Sequence, residues 1–128
     1  MQPIEWDGSY DIGIEEIDVQ HQQLVVIINQ LYEAIITNSH EEVLNGLFNQ
    51  LIDYTDYHFT TEEKYVKRLT QKDKRLHILQ HQNFIEELSR IGRCGVNQET
   101  AEHIWYFLSD WLISHIISED IKLYKKCE

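Results

Sequence analysis

The stretch HFTTEEKYVKRLTQKDKRLHILQH, residues 58–81, carries two pairs of metal-ligating residue types at helical spacing. His58 is followed four residues later by Glu62, and His77 is followed four residues later by His81. Side chains four residues apart lie on the same face of a helix. The stretch therefore predicts two consecutive helices, each of which presents one pair of ligands on one face.

Apolar side chains continue the helical period on both sides of this stretch. They recur at steps of three and four residues, which is typical of amphipathic helices with one buried face. The pattern predicts four helices, over about 18–37, 40–69, 72–92 and 98–118. Four such helices joined by short loops predict an all-α protein with an up-down-up-down four-helix bundle.

Short breaks with helix-capping residues separate the predicted helices. Asn38 and Ser39 interrupt the first stripe, and Ser39 with Glu42 three residues later has the pattern of a capping box for the second helix. Thr70 and Asn97 stand where they can cap the third and fourth helices.

The residues ahead of the first helix follow a different period. Apolar residues such as Ile4 and Trp6 alternate with polar ones over residues 1–15, and a period of two indicates an extended segment with one buried face. No second strand pattern follows, so we expect residues 1–17 to form an arm along the helical body. The length of 128 residues suits a single domain over 1–128.

Composition narrows the range of partners. Eleven basic against 22 acidic residues give a net charge of −11, which disfavours nucleic acid and anionic membrane surfaces. The longest apolar run, Leu24–Ile28, is too short for a membrane span. Residues 1–15 lack a signal-peptide pattern, and Cys94 and Cys127 match no metal or redox spacing. We therefore expect a cytoplasmic monomer with reduced thiols.

Antiparallel packing would bring most of the histidines to one end of the bundle. A single histidine on an apolar face is more often a satisfied core residue than a ligand. Six polar residues on inward stripes at one depth need a shared partner, because a buried unpaired polar side chain costs several kcal/mol. A metal is the natural partner for imidazole and carboxylate. The six are His21, His58, Glu62, His77, His81 and His115.

A seventh candidate follows on the fourth helix. Asp120 comes five residues after His115, about 140° around an ideal helix, so we expect the helix to end or distort there. With Asp120 the ordered set resembles that of the hemerythrins, in particular their bacterial branch. The segment Ile17-Asp18-Val19-Gln20-His21 is also similar to that family, as are His58-Phe59 and Glu62-Glu63, and the resemblance spans residues 4–124.

The resemblance implies a non-haem di-iron centre that binds dioxygen reversibly. The implied ligands are His77, His81 and His115 for one iron, His21 and His58 for the other, and Glu62, Asp120 and an oxo or hydroxo group as bridges. With six-coordinate irons, this arrangement leaves one coordination position open, on the iron with two histidines. The implied oxygen pocket consists of Leu24, Phe59, Trp111, Leu112 and Ile116.

Two other functions remain open at this point: a di-iron oxidase or peroxidase, and a sensor of oxygen or nitric oxide. Ferritin-like enzymes use Glu-x-x-His pairs, and this sequence has none. A sensor domain is usually fused to a signalling module, for which the chain has no room. A haem bundle is disfavoured because Cys-x-x-Cys-His is absent and Met1 is the single methionine. We therefore expect a binding protein for oxygen carriage, storage or delivery, and not an enzyme.

Overall fold

The computed structural model describes residues 2–5, 13–65 and 70–114. These residues contain four α-helices and no strand: α1 (Glu15–Ile36), α2 (Glu41–Tyr65), α3 (Gln71–Ile91) and α4 (Gln98–Ser114). Helix α1 packs against α2 and α4, and α3 packs against the same two helices, so all four surround a common core. The predicted all-α class and four-helix bundle are confirmed.

Helix α1 begins earlier than predicted, at Glu15 and not at Asp18. The side chain of Ile17 explains the difference, because it lies four residues before His21 and extends the buried stripe. The acidic side chain of Glu15 in the first turn is favourable next to the positive end of the helix dipole. Extended backbone ends at Ile14, with φ −110° and ψ 106°, so the predicted arm boundary after residue 17 is wrong.

Asn38 ends α1 by adopting a left-handed backbone conformation with φ 53°. The amide of Ser39 then donates to the carbonyl of Ala34 at 2.9 Å, which satisfies one of the last carbonyls of the helix. The Ser39 hydroxyl lies 3.2 Å from Thr37 Oγ1. Ser39 therefore completes the end of α1, and the capping box predicted with Glu42 is not formed among the described residues.

The predicted caps of α3 and α4 are confirmed. The amide of Asp73 donates to Thr70 Oγ1 at 3.2 Å, and the amide of Thr100 donates to Asn97 Oδ1 at 2.9 Å. Each bond satisfies an amide that the first turn of a helix leaves without an intrahelical partner. The starts of α2, α3 and α4 lie within one residue of the predicted positions. The predicted ends of the second and fourth helices lie outside the described residues.

The N-terminal residues lie along α1. The amide of Ile4 donates to Asn29 Oδ1 at 2.8 Å, and Asn29 Nδ2 donates to the carbonyl of Ile4 at 2.8 Å. The Ile4 side chain also packs against the core. The predicted arm is therefore in place at residues 2–5, whereas residues 6–12 lie outside the described part of the chain.

The half of the bundle away from the histidines is filled by aliphatic side chains. Its fully buried members include Ile27, Leu31, Leu44, Leu88, Ala101 and Ile104. At this end Gly92 follows α3, and a Cβ there would overlap the ring of Phe48, so any larger residue would force that ring to shift. None of the described helices combines the length and apolarity that a membrane span requires.

Candidate metal centre

Five of the seven predicted ligands meet at one end of the bundle. Helix α1 contributes His21, α2 contributes His58 and Glu62, and α3 contributes His77 and His81. None of these five is more than 3% exposed. The antiparallel order places the first half of α1 and α3 beside the second half of α2, as the sequence predicts.

The carboxylate of Glu62 lies at the centre of the cluster. Its Oε1 is 3.3 Å from His21 Nε2 and 2.8 Å from His58 Nε2. Its Oε2 is 3.2 Å from His77 Nε2 and 2.8 Å from His81 Nε2. Four imidazoles therefore face a single carboxylate, with two on each oxygen.

The cluster divides into two groups of three ligands that share Glu62. One group adds His21 and His58, whose ring centroids are 4.6 Å apart, and the other adds His77 and His81, whose centroids are 4.2 Å apart. Within each group the ligand atoms lie within 4.8 Å of one another. The described residues thus form two adjacent groups that could each hold a metal ion and that share one carboxylate.

A buried hydrogen-bond relay that the sequence analysis missed directs His58. The Thr61 hydroxyl donates to the carbonyl of Tyr57 at 3.2 Å, so its oxygen accepts from Gln20 Nε2, also at 3.2 Å. This orientation turns Gln20 Oε1 toward His58 Nδ1 at 2.8 Å. Because an amide oxygen only accepts, Nδ1 of a neutral His58 carries the ring proton.

The relay supplies a test of whether these residues suit a metal. With the proton on Nδ1, the lone pair of His58 Nε2 faces Glu62 Oε1 at 2.8 Å. Despite this short distance, Nε2 makes no hydrogen bond among the described residues. At this distance the nitrogen lone pair and the carboxylate oxygen repel each other. A cation between them would be coordinated by both atoms and remove the repulsion. A second ring nitrogen held by a hydrogen bond is typical of metal-ligating histidines, so the donor set fits a metal.

The relay residues carried a weak signal in the sequence. Gln20 directly precedes His21 and lies three residues after Ile17, which places it at the edge of the buried face of α1. Thr61 directly precedes Glu62 in the same way on α2. A polar residue next to a ligand on a buried face is a candidate support for that ligand. Which ligand it supports depends on packing between helices.

A hydrogen bond joins the start of α1 to the end of α2 near the cluster. Tyr65, three residues after Glu62, donates its hydroxyl to Glu16 Oε2 at 2.6 Å. The hydrogen bond stabilises the protonated phenol and, with some burial and the negative charge of Glu16, raises the pKa of Tyr65. The contact holds together the two helix ends that carry His21 and Glu62.

Next to the cluster is a small, almost wholly apolar cavity of about 10 Å³. Its walls come from α1, α2, α3 and α4: Leu24, Ile28, Leu51, Thr55, Phe84, Leu108, Trp111 and Leu112. Three of the predicted pocket residues, Leu24, Trp111 and Leu112, are among them. The volume is close to the minimum that accommodates one water molecule.

The cavity lies one helical turn deeper in the bundle than the ligands. Leu24 comes three residues after His21, and Thr55 comes three residues before His58. Phe84 likewise comes three residues after His81. Residues later in α1 and α3 lie deeper in the bundle, and so do residues earlier in α2. The three residues therefore lie at the same depth.

Phe59 occupies a different place from the other described members of the predicted pocket. Its ring stacks on that of His81 with centroids 3.8 Å apart and an angle of 3°. It also contacts Phe84 and Trp111 edge to face, at 5.6 Å and 5.7 Å. Phe59 therefore packs a ligand against the aromatic wall and does not itself line the small cavity.

Three predicted site residues lie outside the described residues. They are the ligands His115 and Asp120 and the pocket residue Ile116. Helix α4 is described as far as Ser114. The roles assigned to these three residues therefore stay predictions.

Comparison with known proteins places the chain in a family. Residues 12–127 match the family model described as Hemerythrin HHE cation binding domain. A bacteriohemerythrin of Pseudomonas aeruginosa is 30% identical over 121 residues, which cover 94% of this chain and 78% of that protein. A bacteriohemerythrin of Clostridium acetobutylicum is 25% identical, over 90% of this chain and 94% of that protein. A hemerythrin-like protein of Naegleria fowleri is 26% identical, over 94% of this chain and 90% of that protein. With a buried histidine and glutamate cluster that could hold metal, this chain belongs to the hemerythrin family.

Proposed function

We propose that this chain binds dioxygen reversibly at a pair of irons bridged by Glu62 and Asp120, with an oxo or hydroxo group as a third bridge. The observation that carries the proposal is the position of Glu62, which has two imidazole nitrogens on each of its oxygens. A carboxylate so placed can bind one metal ion through each oxygen. The irons would supply the reversible exchange of electrons with dioxygen.

The described residues supply unequal ligand sets to the two positions. His21 and His58 serve one position, and His77 and His81 serve the other. The resemblance to the family adds His115 to the second set. The first position therefore has fewer protein ligands and keeps room for a small molecule.

The neighbouring cavity supports a small, uncharged ligand. Leu24, Trp111 and Leu112 give it apolar walls, and none of the described residues that line it is charged. Such walls exclude water, which would otherwise protonate and displace reduced oxygen species. The cavity has a volume of only about 10 Å³, so any ligand larger than a water molecule requires side-chain motion, and large substrates are disfavoured.

We further propose a binding protein, a carrier, store or delivery factor for oxygen, and not an oxidase, peroxidase or sensor. The described ligand set has four histidines and a single carboxylate, a composition that favours reversible binding over oxidation of a second substrate. The net charge of −11 supports a protein that does not bind nucleic acid. The exposed thiol of Cys94 supports a reducing compartment such as the cytoplasm.

The decisive experiment loads the protein with Fe(II) without air and then admits oxygen. We expect a visible absorption band that appears with oxygen and disappears when oxygen is removed, over several cycles. A band that decays irreversibly, or steady oxygen consumption with an added reductant, would instead favour the oxidase or peroxidase. Size-exclusion chromatography of the same sample tests the expected monomer.

A further inference from the structure

One residue that lines the small cavity beside the ligands carries a hydroxyl group. Seven of its eight lining residues are aliphatic or aromatic, and the eighth is Thr55. Thr55 is 2% exposed, and its Oγ1 is buried and makes no hydrogen bond within the described part of the chain. Among the described lining residues, Thr55 thus has the only hydroxyl, and its hydrogen-bonding capacity is available.

Two other threonines of α2 do form a hydrogen bond through their hydroxyl groups, unlike Thr55. Thr60 and Thr61 donate their hydroxyls to the carbonyls four residues earlier, those of Asp56 and Tyr57, at 3.0 Å and 3.2 Å. Thr55 does not make the corresponding bond. A buried hydroxyl without a partner destabilises the fold, and valine would fill the same space without that cost. The position of Thr55 is thus explained better by a ligand than by packing.

Thr55 lies one helical turn from a ligand of the metal position that the proposed function leaves with fewer ligands. It comes three residues before His58, and Leu24, which also lines the cavity, comes three residues after His21. These are the two histidines of the position with room for a small molecule. A molecule bound there and extending into the cavity would come close to Thr55, the only described lining residue with a hydroxyl.

We propose that the Thr55 hydroxyl donates a hydrogen bond to dioxygen held in this cavity and thereby slows its dissociation. This inference rests on the proposed function, since it concerns the same site. Dioxygen with partial negative charge would accept such a bond well, and Thr55 carries the only hydroxyl among the described lining residues. Thr55 then contributes one hydrogen bond to the lifetime of bound dioxygen.

Two matched pairs of proteins isolate the hydroxyl. Wild type and Thr55→Val differ by a hydroxyl in place of a methyl group, and Thr55→Ser and Thr55→Ala differ by the hydroxyl alone. We expect oxygen to dissociate about two- to tenfold faster from the member of each pair without the hydroxyl, the range that one net hydrogen bond provides. Stopped-flow release into an oxygen scavenger measures this rate. The second pair keeps the test valid if Thr55→Val does not fold.

A matched control uses another buried hydroxyl without a partner among the described residues, Ser109 Oγ, which does not line the cavity. Ser109→Ala is expected to leave the dissociation rate unchanged. A second measurement uses the metal-free protein. Removal of an unsatisfied hydroxyl should raise the urea midpoint of unfolding in Thr55→Val.

The outcomes separate this inference from the proposed function. Equal dissociation rates within both pairs would overturn the role of Thr55, as would a lower urea midpoint in Thr55→Val, because that result would reveal an internal partner for the hydroxyl. A wild-type protein that shows no reversible oxygen band would overturn the proposed function and this inference with it. Faster dissociation from both variants without the hydroxyl would support the assignment.

Discussion

Gln20 Oε1 accepts a hydrogen bond from His58 Nδ1 at 2.8 Å, across 38 residues of sequence and between two helices. The bond decides which nitrogen of His58 faces Glu62. Because Thr61 fixes the orientation of the Gln20 amide, the His58 ring is held in place and, when neutral, in the tautomer that a ligand needs. A prepared ligand loses less conformational freedom on binding metal.

Replacement of Gln20 by leucine should weaken metal binding by about 10- to 100-fold while the helical fold is kept. The variant loses the acceptor for His58 Nδ1, so the ring can rotate or take the other tautomer. Competition against a chelator with Co(II) measures the affinity, and nitrogen NMR of the metal-free protein reports the His58 tautomer. Gln23→Leu, at an exposed position of the same helix, is the matched control. Wild-type affinity in Gln20→Leu would show that the relay is incidental.

Substitution of Glu62 by glutamine should abolish the binding of paired metal. Wild type is expected to bind two irons per chain, and Glu62→Gln at most one, because an amide oxygen cannot replace a carboxylate that bridges two cations. Elemental analysis gives the stoichiometry, and circular dichroism checks that the helices remain. Glu63→Gln, an exposed neighbour, should keep both irons. Two irons in Glu62→Gln, or zinc as the main metal in wild type, would contradict the bridging role.

Shortening Leu112 to alanine should speed conversion of the oxygenated protein to the diferric form. Leu112 lines the cavity, and its loss opens a path for water. The change should also cost about 2–5 kcal/mol of stability, a cost expected for any buried leucine. Leu44→Ala, at a site 1% exposed and far from the ligands along α2, therefore controls for stability alone. Equal conversion rates in the two variants at equal iron loading would show that Leu112 acts only as a core residue and does not shield the site.

The hydrogen bond from Tyr65 to Glu16 should stabilise the fold at neutral pH and lose its effect in alkali. The pKa of Tyr65 is raised from its usual 10.0 because the protonated phenol donates to the carboxylate. A pKa raised in the folded state gives a contribution that is complete below about pH 10 and is lost as the pH rises through the raised pKa. We expect the difference in free energy of unfolding between wild type and Tyr65→Phe to shrink over that range.

Urea denaturation of the metal-free protein at a series of pH values measures this difference. Tyr106→Phe removes an exposed hydroxyl on α4 and serves as the control. If the difference in free energy of unfolding between wild type and Tyr65→Phe stayed constant from neutral pH to well above pH 10, the hydrogen bond donated by the Tyr65 hydroxyl would not stabilise the fold.

Much of this protein follows from the sequence alone. The three- and four-residue period determines four helices, since a helix with one apolar stripe must bury that stripe. Short loops make neighbouring helices antiparallel, and this order brings His21, His58, Glu62, His77 and His81 to one level. The ligand spacing within α2 and within α3 is local information, so it could be predicted. His115 and Asp120 remain predictions from the same pattern and from resemblance.

Tertiary structure alone decided how these residues meet. Sequence patterns do not show that each oxygen of Glu62 faces two imidazoles or that Gln20 accepts a hydrogen bond from His58. They also do not show that Phe59 stacks on His81, or that Thr55 and not Phe59 lines the cavity. Each of these contacts joins side chains that depend on the rotation and depth of two helices relative to each other. Helical periodicity specifies which face is buried, whereas the pairing of atoms across faces is set by the close packing of all four helices.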